Sequence, residues 1–138
     1  MDIIDFFTAK LAFETDVADV AAVLATRSPG FVLVDSRSAA SWDSGRIPGA
    51  VHVPMAEIER RAAEFDRAVP VVTYCWGPAC NGATRAALAF AQRGLTVREM
   101  IGGFEYWVRE GGSVQTSAGL AASSADRLTT ASPLDCGC

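Results

Sequence analysis

No apolar run in this 138-residue chain approaches the roughly 20 residues that a membrane-spanning helix needs. There is no excess of basic residues either. Twelve Lys and Arg stand against sixteen Asp and Glu, a formal net charge of -4, which argues against generic nucleic-acid binding and against a polybasic membrane anchor. The start, Met1-Asp2-Ile3-Ile4-Asp5, is acidic where a secretory signal is basic, so a soluble cytoplasmic protein is expected. Histidine is nearly absent: His52 is alone, and no Cys/His spacing resembles a zinc module, so neither metal nor cofactor is expected. No internal repeat occurs. What is present is a hydrophobic content of 50%, enough for one ordinary domain with a real core.

The four cysteines fall in two groups, Cys75 with Cys80 and Cys136 with Cys138. In a reducing compartment such residues are catalytic, redox-active or inert rather than structural staples.

Apolar spacing predicts a helix over Asp2 to Ala12 with Asp2 as its cap, then a second capped by Thr15 or Asp16 and stopped at Ser28-Pro29-Gly30. Phe31-Val32-Leu33-Val34 reads as a strand buried on both faces, ending at Asp35. Ala50 to Val53 is a second strand, Met55 to Phe65 a helix, and Val69 to Tyr74 a third strand with Pro70 at its start. Gly82 to Arg93 is an Ala-rich helix, Thr96 to Ile101 a fourth strand, and Gly102-Gly103 opens a short last helix. Strands alternating with helices imply an α/β fold with a mainly parallel sheet, whose ligands bind at the carboxyl ends of strands. From Ser113 to Cys138, Ser, Thr and Ala supply 13 of 26 residues, so an extended or partly ordered tail is expected, with a short helix near Leu120 to Leu128. The chain thus divides into an N-terminal helical segment 1–14, a domain 15–112 and a tail 113–138.

Cys75 follows the third strand directly and opens the loop Cys75-Trp76-Gly77-Pro78-Ala79-Cys80-Asn81-Gly82, after which a helix begins. A thiol facing a helix N-terminus sits where partial positive charge favours the nucleophilic thiolate. Gly77 and Gly82 allow backbone N–H groups to turn inward as an anion-binding nest, and Asn81 stands at the N-cap position. Such a cysteine can attack the outer sulfur of a donor, store it as a persulfide and yield it to a second nucleophile. That is two-step covalent catalysis with ping-pong kinetics.

These residues carry a resemblance. Val34-Asp35-Ser36-Arg37, then Gly45-Arg46-Ile47-Pro48-Gly49-Ala50-Val51-His52-Val53-Pro54, then Tyr74-Cys75, then Gly102-Gly103-Phe104-Glu105-Tyr106-Trp107 together resemble the single-domain rhodanese family over about residues 15 to 112. The resemblance implies a three-layer α/β fold, a five-stranded, mainly parallel sheet flanked by helices, and a sulfurtransferase with Cys75 as nucleophile. It implies a small sulfur donor such as thiosulfate, a thiol or cyanide acceptor, and a sulfur-accepting protein as a further partner class. Asp35 and Arg37 would support the loop by structural pairing. Arg46 stands where the family often has His, and positions 76 to 84 carry no charge. A dianion therefore receives little Coulombic help from the loop, and Arg85 lies on the helix beyond.

Neighbouring readings separate on single residues. Gly77 to Thr84 nearly matches a nucleotide-binding loop, but Ala83 stands where its Lys is needed. Cysteine phosphatases need an Arg six residues after the nucleophile, where this chain has Asn81. A redox or reductase domain using Cys75 with Cys80, and a non-catalytic rhodanese-like binding module, stay open. Cys136-Gly137-Cys138 reads as a sulfur acceptor on the tail or as a terminus with two exposed thiols. His52 reads as a hydrogen-bonded structural imidazole, Trp76 as a wall of the pocket mouth, and Trp42 and Trp107 as packing.

Overall fold

A computed structural model describes residues 1–130. Cys136 and Cys138 lie outside the described residues. The chain runs α1 (Ile3–Phe13), β1 (Glu14–Asp16), α2 (Val17–Leu24), β2 (Val32–Asp35), α3 (Ala39–Ser44), β3 (Val51–His52), α4 (Ile58–Arg61), β4 (Val71–Tyr74), α5 (Gly82–Ala91), β5 (Val97–Ile101), α6 (Gly103–Arg109), β6 (Val114–Thr116) and β7 (Gly119–Ala121).

Five strands form one parallel sheet in the order β1-β5-β4-β2-β3. β2 and β4 lie at its centre, with Val32 opposite Val71 and Asp35 opposite Tyr74. Both are apolar because both faces of the sheet are covered. On one face Val17, Val20 and Trp107 from α2 and α6 pack with Leu33, Val72 and Met100. On the other, Ile58, Ala86 and Phe90 from α4 and α5 pack with Val34 and Val71. Each fully buried Ile or Phe contributes roughly 1.5–3 kcal/mol relative to an exposed one. The result is three layers, helix on sheet on helix.

The chain leaves β2 toward one edge of the sheet and leaves β4 toward the other. The strand order therefore reverses between β2 and β4, and a crevice opens past their carboxyl ends. Asp35 and Cys75 stand on its two sides.

Asp2 caps α1 in a capping box with Asp5, and Asp16 caps α2, both as the sequence pattern predicts. Other details differ. Glu14–Asp16 is an edge strand, beside β5, where the sequence pattern predicts only a helix cap. Its residues carry no apolar alternation because an edge position demands none. The helix expected over Met55 to Phe65 is broken into a four-residue α-helix between two tight turns. The helix expected near Leu120 to Leu128 does not form. Instead β6 and β7 make a hairpin joined to the domain by Gln115, whose N–H and C=O exchange hydrogen bonds with Arg46 at 2.8 and 3.1 Å. Among the described residues, no helix is long and apolar enough to cross a membrane.

Candidate functional site

The loop after β4 is held from both ends. At its start, the Cys75 and Trp76 carbonyls accept the N–H groups of Phe104 and Glu105 at 2.9 and 2.7 Å, which locks the loop onto the first turn of α6. Gly103 makes this approach possible. It adopts φ +66°, and a Cβ there would lie 2.6 Å from the Gly77 nitrogen. In the middle, Gly77 to Cys80 closes a turn, with the Cys80 N–H bonded to the Gly77 carbonyl at 3.0 Å. That N–H is spent within the loop rather than offered to a ligand.

At its end the loop differs from the sequence expectation. Asn81 makes no side-chain cap; its backbone is at φ -93°, ψ 12°, not the extended conformation an N-cap side chain needs. The Cys80 Sγ takes that place and accepts the Gly82 N–H at 3.4 Å. The two sulfurs, Cys75 Sγ and Cys80 Sγ, lie 3.2 Å apart and share a hydrogen bond. Both thiols are free, Cys75 buried and Cys80 exposed.

Burial pushes the Cys75 thiol up to about 11, aided by its bond with Cys80; the Trp76 N–H and Ser36 hydroxyl oppose this without cancelling it. Cys80 is moved down, chiefly by the Gly82 N–H. The expectation that helix α5 would hold Cys75 as a resting thiolate is therefore corrected. The first N–H of α5 points at Cys80, and Cys75 sits in a drier place.

Beneath the loop lies a buried ion pair. The Arg37 guanidinium bonds Asp35 through Nε at 3.0 and 3.1 Å and Nη2 at 2.7 Å, and Nη2 also reaches the Gly45 carbonyl at 2.7 Å. Both side chains are fully buried. The Tyr74 hydroxyl donates to Asp35 at 2.6 Å and accepts the Ile47 N–H at 3.2 Å. Burial and the carboxylate push the Tyr74 hydroxyl well above its ordinary range, so it stays a donor. The guanidinium lies 4.6 and 4.2 Å from the ring centroids of Trp76 and Phe104. Asp35 and Arg37 thus form a structural pair beneath the loop, with the guanidinium against Trp76 and the carboxylate of β2 bonded to Tyr74 of β4. His52 is structural too: its Nε2 bonds the Arg37 carbonyl at 2.8 Å and its ring stacks on Trp42. Trp107 is core packing, with its indole N–H on the Ser113 carbonyl at 2.8 Å.

Cavities open on two sides of the loop cysteines. One, of about 370 Å³, is lined by Cys75 and Cys80 and carries the ionised groups Lys10, Glu14 and Glu99. The other, of about 620 Å³, is walled by Trp76, Phe104, Glu105 and Arg109, and Cys80 reaches it as well. The fold therefore gathers Trp76, Gly77, Pro78, Ala79, Cys80 and Gly82 around Cys75. Asn81 is exposed, and Arg85 is exposed on α5 and lines neither cavity. Sequence reasoning assigned no role to Ser36, Tyr74 or Phe104, although each stands in a motif it quoted. It had no signal at all for Lys10, Glu14 and Glu99, which only the packing of α1 and β1 on β5 brings near the loop.

A family model described as Rhodanese-like domain matches residues 17–110. The thiosulfate sulfurtransferase GlpE of Pseudomonas savastanoi is 36% identical over 84 residues, covering 60% of this chain and 77% of its own. The HTH-type transcriptional regulator Rv0324 of Mycobacterium tuberculosis is 34% identical over 93 residues, covering 67% of this chain, which spans only 41% of that regulator. Among solved structures, the BH2092 protein of Bacillus halodurans superposes with a TM-score of 0.79 at 41% identity, over 84% of this chain and 85% of its own.

Proposed function

The chain belongs to the rhodanese-like domain family, and on that premise we propose that it is a sulfurtransferase carrying a sulfane sulfur on Cys75. The observation that carries this reading is the position of the Cys75 sulfur: at the carboxyl end of a central strand, at the reversal point of the sheet, and open to a cavity. Resemblance to the GlpE sulfurtransferases supports it.

In the first half-reaction Cys75 loses its proton and its Sγ attacks the sulfane sulfur of a donor. A new S–S bond forms, the donor's bond to that sulfur breaks, and the remainder leaves with the bonding pair. In the second, an acceptor thiolate or cyanide attacks the outer sulfur, and the pair returns to Cys75. The loop from Trp76 to Gly82 surrounds the donor, while Asp35 and Arg37 hold the loop's base. Burial raises the proton affinity of Cys75, so loss of that proton to solvent is part of the first half-reaction.

Donor choice follows from charge. The Cys75 cavity holds two carboxylates, Glu14 and Glu99, and one ammonium, Lys10. Thiosulfate, a dianion, meets net repulsion there, so a less charged persulfide donor is favoured and thiosulfate is used only at high concentration. Intact mass before and after exposure to each donor, with peptide mapping and a thiocyanate assay, tests the reading. One added sulfur on the Cys75 peptide, discharged by cyanide and absent in Cys75→Ser, is expected. A folded chain that takes sulfur from no donor would instead be a non-catalytic binding module.

A further inference from the structure

The placement of Cys80 goes beyond what sulfur transfer to an outside acceptor requires. Its sulfur contacts Cys75 Sγ at 3.2 Å and is the one loop thiol that is exposed. It lines both the cavity that holds Cys75 and the larger one beyond Trp76. Gly82 makes room for the pair: a Cβ there would stand 2.4 Å from Cys75 Sγ and 3.3 Å from Cys80 Sγ.

We propose that Cys80 resolves the Cys75 persulfide, so that the protein releases its sulfur as hydrosulfide and is then reset by a dithiol reductant. This step rests on the persulfide reading of Cys75. Cys80, having given its proton to solvent, attacks the inner sulfur of the persulfide. A Cys75–Cys80 disulfide forms, the bond between inner and outer sulfur breaks, and the outer sulfur departs with the electron pair and its own proton as HS⁻. The sulfane sulfur is reduced and the two cysteine sulfurs are oxidised. A dithiol then attacks the exposed Cys80 sulfur, leaves as a cyclic disulfide and restores both thiols.

Leaving-group chemistry selects the inner sulfur. Attack on the outer one would only move the persulfide to Cys80 and expel an alkyl thiolate, whereas attack on the inner one expels hydrosulfide, and hydrogen sulfide is a stronger acid than an alkyl thiol. The Gly82 N–H favours the thiolate form of Cys80, and closing a five-residue separation needs no long loop to order.

The test is a single turnover of the reduced full-length chain without oxygen or added thiol. The chain is loaded with concentrated thiosulfate, which brings no thiol of its own, and desalted. Sulfide is measured by colour formation, and the protein by intact mass and non-reducing peptide mapping. The expected result is one equivalent of sulfide per chain and a peptide cross-linked between Cys75 and Cys80. Cys80→Ser and Cys80→Ala should lose the sulfide burst and keep the added sulfur on Cys75 until cyanide is supplied. Wild-type protein that keeps its added sulfur as long as Cys80→Ser does would overturn the step. So would equal sulfide release from both, or a cross-link to Cys136 or Cys138 instead. If neither chain takes sulfur onto Cys75 from thiosulfate or from a persulfide donor, the sulfurtransferase reading itself falls and this step with it.

Discussion

Replacing Gly82 with alanine separates the chemical demand of the loop from its folding demand. The added Cβ would lie 2.4 Å from Cys75 Sγ and 3.1 Å from Cys75 Cβ, against the 3.4 Å at which ordinary contact begins. The Cys75 sulfur, or the first turn of α5, must yield by about 1.0 Å. Two free energies oppose each other. Overpacking costs roughly 1–3 kcal/mol, while Ala in place of Gly in a helix recovers roughly 0.5–1 kcal/mol. The net loss is about 1 kcal/mol, which shifts a urea midpoint by roughly 0.3–1 M. Sulfur loading is more sensitive, because a displacement of about 1 Å at a reacting atom costs on the order of 100-fold in rate. Equilibrium urea unfolding of the reduced protein, beside the initial rate of thiocyanate formation, reads both effects. A Gly82→Ala protein as stable as wild type and equally fast would refute the geometry assigned to this loop.

Other expectations follow from the same structure. Asp35→Asn leaves the buried Arg37 guanidinium without its counter-charge and should cost about 3–5 kcal/mol in denaturant unfolding. A loss below about 1 kcal/mol would mean the pair is hydrated in solution. Tyr74→Phe removes the hydroxyl that bridges Asp35 and the Ile47 N–H and should cost about 1–3 kcal/mol by the same measurement. The rate of persulfide formation should rise with pH toward about 11, since a larger fraction of Cys75 is then ionised. Stability should move the opposite way. Keeping Cys75 neutral contributes fully below the ordinary thiol value of 9.0, and that contribution is lost between there and about 11. Cys75→Ser should abolish this alkaline slope. Glu99→Gln removes one carboxylate from the Cys75 cavity and should raise kcat/KM for thiosulfate a few-fold while leaving an uncharged donor little affected.

Much of this protein is legible along the chain, where local chemistry decides. Apolar runs such as Val32 to Val34 and Val71-Val72 can only be satisfied in a covered sheet. Asp2 and Asp16 cap helices through contacts three residues away, which spacing alone determines. Cys75 at the end of a strand, before a Gly-bounded loop, stands out as the candidate site for the same reason. The tertiary structure decided what depends on groups distant in sequence. β1 exists because β5 offers it backbone partners, and the tail hairpin because Arg46 does. The charge around Cys75 comes from Lys10 and Glu14, far before it in the chain, and from Glu99 after it, brought there by the fold of α1, β1 and β5. The proton affinities of Cys75 and Cys80 were set the same way. Sequence indicated a helix N-terminus facing Cys75, but burial raises the Cys75 thiol while the Gly82 N–H lowers Cys80, and burial is a property of packing rather than of neighbours in the chain.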